Sequence, residues 1–168
     1  MAGFHTKTFI KHDDYSTPKS AWENIKHIIP KVQIYEAFYG DGKSGQYLEE
    51  LGFDVIHEPI DFFDNDTLPP YECLVSNPPF SQTKQIMKRL AELDMPFIII
   101  MPASKICTSY FRENFMNKKL QIIIPRKRIQ FVKLVNGEKP EKYKSDCNFD
   151  CFYYCYKINL PNDITWLN

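Results

Sequence analysis

At 168 residues, with 43% hydrophobic and 15% aromatic side chains, the chain can bury a real core as one domain, which excludes a disordered segment. No apolar run approaches the roughly 20 residues of a membrane span, and residues 1–7 lack a signal-peptide stretch, so no membrane partner is expected. Net charge is zero but unevenly laid out: residues 13–80 hold four Lys/Arg against thirteen Asp/Glu, and residues 81–144 hold fourteen against five, which suggests one side facing a polyanion.

Residues 1–12 read as an irregular or strand-like arm. Thr17-Pro18 then marks a helix start, with Thr17 as N-cap and Pro18 at the first helical position. Ala21, Ile25, Ile28 and Ile29 form the apolar stripe of that helix, and Pro30 ends it. Residues 32–38 are a short apolar strand that runs into Tyr39-Gly40-Asp41-Gly42-Lys43-Ser44-Gly45. A helix follows and stops at Gly52. Residues 53–57 make a second strand, followed by an acidic and aromatic segment and the Pro69-Pro70 turn.

Residues 72–76 are an apolar strand leading into Asn77-Pro78-Pro79-Phe80. Ser81 is expected to cap a helix with Ile86, Met87, Leu90 and Leu93 on one face. Residues 95–101 are almost wholly apolar, as in a strand covered on both faces. Residues 104–116 suit a helix, 120–124 a strand and 125–131 a basic extension. Residues 132–148 read as a flexible polar loop with an Asn136-Gly137 turn, and 149–158 as an aromatic strand. Alternating strands and helices predict an α/β fold with a mostly parallel sheet, helices on both faces, and one domain over residues 1–168.

Five cysteines without framework spacing fit a reducing, intracellular compartment, cytoplasmic or nuclear. Cys147, Cys151 and Cys155 form a single row in a strand-like segment. A zinc site needs two pairs of close ligands, so no metal is expected.

Three stretches carry chemistry. After Glu36, the glycines Gly40, Gly42 and Gly45 let a helix N-terminus approach a nucleotide-like ligand, although a tight turn with no ligand would use the same residues. A phosphate-loop reading of Lys43-Ser44 fails, because one residue separates Gly40 from Gly42 where four are required. Glu58 ends the second strand, where a ribose acceptor sits in nucleotide-binding α/β folds, and His57 beside it reads as a packing residue. Asp61-Phe62-Phe63 suits either an adenine amine beside a ring or a solvated turn with buried aromatics. In Asn77-Pro78-Pro79-Phe80, the Asn77 side-chain oxygen and the Pro78 carbonyl are two acceptors beside an aromatic plate. They suit a planar group bearing an NH2; the alternative is a turn whose Phe80 closes the core.

Taken together, Glu36-Ala37-Phe38-Tyr39-Gly40-Asp41-Gly42 and Ser76-Asn77-Pro78-Pro79-Phe80 resemble the cofactor loop and catalytic motif of S-adenosylmethionine-dependent amino-methyltransferases. The resemblance is strongest to the N6-adenine DNA methyltransferases of phages and viruses, and spans roughly residues 14–131. It implies a Rossmann-like class I methyltransferase fold and S-adenosylmethionine as cofactor. It also implies methyl transfer to an exocyclic amine, adenine N6 in DNA, as by enzymes that phages and viruses encode. Carried over, Asn77, Pro78, Pro79 and Phe80 would be catalytic. Tyr15, Thr17, Glu36, Phe38, Gly40 and Gly42 would hold the methionine side of the cofactor, Glu58 its ribose, and Asp61 with Phe62 its adenine.

The chain departs from the pattern after Glu58: residues 61–70 are too short for a further helix and strand, so Glu58 and Asp61 are close to one position. There is also no separate target-recognition domain. Lys118, Lys119, Arg126, Lys127 and Arg128 are the candidate nucleic-acid contacts, with DNA expected before RNA, and a second copy or a partner subunit could supply recognition. Rival readings are an RNA or protein-glutamine amino-methyltransferase, or a degenerate binding module of the same fold.

Overall fold

The run Phe97-Ile98-Ile99-Ile100-Met101 sets the architecture, because each of its side chains must be shielded from water on one face or the other. In the computed structural model, which describes residues 15–135, 138, 139, 141 and 149–168, this run lies in β5 (Phe97–Pro102), at the middle of a seven-stranded sheet. Strands β2 (Gln33–Tyr35), β3 (Asp54–Ile56) and β4 (Cys73–Ser76) join β5 in the parallel order β3-β2-β4-β5. Beyond β5, β8 (Cys151–Tyr156) is antiparallel to both its neighbours, β5 and β6 (Leu120–Ile124). The short strand β9 (Ile164–Trp166) closes that edge, parallel to β6.

Alternation along the strands builds two apolar layers. Ile98 and Ile100 pack with Trp22 and Leu48, from α1 (Lys19–Glu23) and α2 (Lys43–Glu50). Ile99 and Met101 pack on the other face with Met87 and Phe111, from α3 (Thr83–Leu93) and α4 (Ser109–Phe115). The expected α/β arrangement with helices on both faces therefore holds. Among the described residues no helix is long and apolar enough to cross a membrane, and no cluster of three metal-ligating side chains occurs.

Several local expectations are corrected. Val132 and Lys133, expected in a flexible loop, form β7 (Val132–Lys133) and pair antiparallel with β1 (Tyr15–Ser16). Thr17 does not cap α1; Pro18 takes that position without a side-chain bond, because Thr17 Oγ1 accepts from Asn77 instead. A 3-10 turn (Phe80–Gln82) precedes α3, where Thr83 Oγ1, rather than a Ser81 cap, bonds the Phe80 carbonyl at 2.7 Å. The helix expected over residues 104–116 splits into a 3-10 segment (Ala103–Cys107) and α4. The arm of residues 1–12, the Asn136-Gly137 turn and Cys147 lie outside the described residues.

Strand direction positions the functional groups. Because β2, β4 and β5 are parallel, their C-terminal ends share one edge of the sheet, where ligands bind in open α/β folds. Since β8 is antiparallel to both β5 and β6, β6 also points to that edge. Residues 126–128 therefore lie on the same side as Asn77, whereas Lys118 and Lys119 lie at the opposite edge.

Two polar contacts fasten the layers. Asp94, in the left-handed conformation at the end of α3, accepts from the Tyr156 hydroxyl at 2.5 Å and from the amines of Lys118 and Lys157 at 3.0 and 2.9 Å. These donors hold its carboxyl well below the usual carboxylate range. On the other face the buried Tyr153 hydroxyl donates to the Ala21 carbonyl at 2.6 Å and fixes α1 against β8. Removing that hydroxyl in Tyr153→Phe leaves a buried carbonyl short of a donor. Thermal unfolding is expected to show a loss of about 1–2 kcal/mol, or a few degrees in Tm.

Candidate active site

Strand β2 ends at Tyr35, and the next residue, Glu36, is 1% exposed. Its Oε1 accepts from the Phe38 amide at 3.0 Å and from the Ser76 hydroxyl, and the Ser44 hydroxyl close by also favours the charged form. Ser44 in turn accepts from Trp22 Nε1 at 2.9 Å, so α1, α2, β2 and β4 meet at this carboxylate. Glu36 Oε2 is buried and has no partner among the described residues. Burial, acting against these donors, pushes the carboxyl up to about 7. A buried oxygen so placed is suited to receive a cationic group.

The glycine loop follows. Gly40 and Gly42 both have positive φ, at 56° and 77°, and Gly42 starts α2. A Cβ on Gly42 would stand 3.0 Å from the Tyr39 hydroxyl, so a side chain there would strain the backbone and crowd that ring. Tyr39 stacks on His57 with an interplanar angle of 10°, and His57 Nε2 lies 2.9 Å from Glu49. His57 also presses on Gly45, where a Cβ would come within 2.3 Å of its ring. As expected, His57 is a packing residue, and what it packs is the loop.

Asn77 stands at the end of β4, directly after Ser76. Its Nδ2 donates to Thr17 Oγ1 at 2.9 Å, while its Oδ1 is buried and has no partner among the described residues. The amide is thus oriented with a free acceptor. Pro78 is buried and Pro79 half-buried, and neither brings an N–H that could compete for that oxygen. Phe80 packs edge-on against Phe131 and Phe149, with ring centroids 6.1 and 5.6 Å away. Tyr15 meets the same two rings at 6.3 and 6.0 Å, completing an aromatic cluster beside the motif.

The segment Tyr15-Ser16-Thr17 joins these parts. Thr17 holds Asn77, Ser16 Oγ donates to Asp41 of the glycine loop at 2.8 Å, and Tyr15 and Ser16 pair with Lys133 and Val132. One short arm thereby touches the glycine loop, the Asn77 motif and the segment after β6.

The acidic pair is less tightly built. Glu58 is exposed after β3, and Asp61 Oδ1 accepts from the Phe63 amide at 2.9 Å in a turn. Phe62 is fully buried against Phe38, with ring centroids 5.0 Å apart, so Phe63, 37% exposed, is the neighbouring ring that solvent reaches. Arg89 secures this loop through the Phe62 carbonyl and Asn65. No strand forms between β3 and β4, in keeping with the short spacing after Glu58.

The basic residues do not form one rim. Lys118 is tied to Asp94 at the far edge, with Lys119 next to it, whereas Arg126, Lys127 and Arg128 lie on the active-site side. Arg128 is engaged by both oxygens of Asp150, at 2.9 and 3.2 Å. Sequence reasoning missed Ser44 and Ser76 as supports of Glu36, and Phe131 and Phe149 as partners of Phe80. The only available signal was their small or aromatic character beside the motifs.

No family model and no curated protein matches the chain. Among solved structures, a candidate class I S-adenosylmethionine-dependent methyltransferase from Listeria monocytogenes is similar over 97% of this chain and 68% of its own, with 12% identity and a TM-score of 0.53. TehB from Haemophilus influenzae shares 14% identity over 81% of this chain, at a TM-score of 0.46, and the chain spans 60% of its length. A candidate methyltransferase from Thermoplasma acidophilum shares 12% identity over 88% of this chain and 77% of its own, at a TM-score of 0.40. The Listeria likeness and the strand order agree on the Rossmann-like class I methyltransferase fold, and at this identity the fold is what they establish.

Proposed function

We propose that the chain transfers a methyl group from S-adenosylmethionine to an exocyclic amine, adenine N6 in DNA. The observation that carries this reading is the buried Asn77 Oδ1, an acceptor without a partner among the described residues, at the C-terminal edge of the parallel strands and followed in the chain by Pro78 and Phe80. An unmet buried acceptor is costly unless a ligand donates to it. With the Pro78 carbonyl it accepts the two N–H groups of an amine, drawing the nitrogen lone pair out of conjugation with the ring. Both acceptors are neutral, so they orient the amine without removing its proton before attack; as the nitrogen–methyl bond would form, the carbon–sulfur bond would break to leave a thioether, and the cationic N-methylated amine would then release one proton to water. Phe80 and its neighbouring rings offer an apolar surface to the base, which must first leave its stack.

The residues present fit the cofactor. Glu36 Oε2 would accept the ammonium of the methionine moiety, and Gly40 and Gly42 clear the loop for close approach. Tyr15 and Thr17 would cover that end, Glu58 would take the ribose, and Asp61 with the Phe62-Phe63 turn the adenine. Once bound, S-adenosylmethionine supplies a methyl group made electrophilic by its sulfonium. The exposed Arg126 and Lys127 on the same side favour a nucleic acid over a protein side chain as substrate.

Incubation with methyl-labelled cofactor and separate DNA, RNA and protein pools tests the reading. Label is expected in DNA, and Asn77→Ala is expected to lower the rate about a hundredfold or more while circular dichroism stays unchanged. Label confined to RNA or protein would reassign the substrate; the absence of label in every pool would remove the activity.

Glu36 adds a pH dependence. Burial holds its proton in the free fold up to about pH 7, and a cationic ligand needs the carboxylate. Cofactor affinity, followed by calorimetry, is expected to rise about tenfold per pH unit from pH 5.5 and to level near 7, with proton release on binding below that point. Glu36→Gln is expected to bind weakly, with no such slope.

A further inference from the structure

We infer that the cleft on the same edge of the sheet as the target pocket holds the single strand flanking the methylated nucleotide, with Trp166 as the platform on which an unpaired base stacks. This inference rests on a nucleic-acid substrate for the proposed transfer.

The cleft has a volume of about 650 Å³ and lies between α1, residues 126–130 and β9. Asn24 and His27 line it from the turns after α1, Arg126, Lys127 and Gln130 from the segment after β6, and Trp166 from the edge strand. No acidic side chain lines it among the described residues. Arg128 also lines it, but its guanidinium is engaged with Asp150, so Arg126 and Lys127 are the cations offered to phosphates.

Trp166 is 71% exposed, the most exposed of the large hydrophobic side chains among the described residues. An indole so exposed on a sheet edge is poorly placed for folding but well placed for stacking on a base, which is sequence-tolerant because every base has a π face. Its register opposite Ile124 puts it at the C-terminal edge of the sheet, the side that carries Glu36 and Asn77.

Both walls of the cleft lead to the target pocket. Segment 126–130 runs directly into Phe131, which packs on Phe80, and α1 follows Thr17, which holds Asn77. Strand β9 stands four places from β4 in the sheet, roughly 19 Å, so a strand with its phosphates on Arg126 and Lys127 would place the base stacked on Trp166 a few nucleotides from one entering beside Phe80. Stacking on Trp166 requires an unpaired base, which selects single-stranded over duplex nucleic acid.

Intrinsic fluorescence gives a direct test, because the chain has two tryptophans and Trp22 is fully buried with its Nε1 bonded to Ser44. A deoxyadenylate 12-mer is expected to quench the Trp166 emission saturably, and a duplex of equal length to quench it much less. Trp166→Ala is expected to weaken 12-mer binding, read by anisotropy, between about fivefold and a hundredfold. Arg126→Ala with Lys127→Ala is expected to flatten the slope of log affinity against log salt by about 1.4. Oligonucleotide binding unchanged in Trp166→Ala, or equal quenching by the duplex, overturns the proposal. So does emission that shifts with protein concentration alone, which would assign Trp166 to a contact between copies. The two readings fail separately. Methyl transfer that persists without Trp166 quenching removes the cleft alone, and quenching without methyl transfer removes the transfer alone.

Discussion

Glu36 sits out of contact with water at the end of β2, where an ionised carboxylate is costly unless donors surround it. The donors come from different elements, Ser76 from β4 and the Phe38 amide from the start of the glycine loop, with Ser44 of α2 close by. Satisfying one oxygen of this group therefore sets the register of the loop against the strand that carries Asn77. Ser76 is bonded to Glu36, and the residue after it presents the free amide oxygen. The second oxygen of Glu36 is left unmet, and burial raises its proton affinity accordingly. Unmet buried groups of this kind gather at functional sites, where a ligand completes them.

The arm Tyr15-Ser16-Thr17 couples the two halves of the site. Through Asp41 it contacts the glycine loop, through Asn77 the motif at the end of β4, and through β7 the segment that follows the basic residues. Thr17 Oγ1 accepts from Asn77 Nδ2, and the buried Oδ1 is the acceptor without a partner among the described residues. Had Thr17 capped α1, as its position before Pro18 suggested, that orientation would have lost its partner. A local helix signal gave way to a contact made sixty residues away.

That exchange illustrates what could be read from the chain. The apolar run of β5, the alternation of strands and helices, and the motifs around Gly40 and Asn77 were evident because burial and turn geometry are local properties of sequence. The packing role of His57 was evident for the same reason. The β1–β7 pairing was not, because Tyr15-Ser16 and Val132-Lys133 are too short to show periodicity and meet only in the fold. The grouping of Lys118 and Lys119 with Arg126 to Arg128 followed from nearness in sequence. Strand β6 runs between them and carries them to opposite edges, roughly 17 Å apart along the strand alone. Phe62 and Phe63 could not be told apart by composition, and the fold buries the first and exposes the second.

The account stands on the Asn77 oxygen and the Pro78 carbonyl acting together on an exocyclic amine. Mass spectrometry of nucleosides from DNA exposed to the protein and S-adenosylmethionine tests this most directly. The account predicts N6-methyladenine as the modified nucleoside. A base methylated on carbon, or DNA that stays unmodified while the protein binds its cofactor, would contradict it.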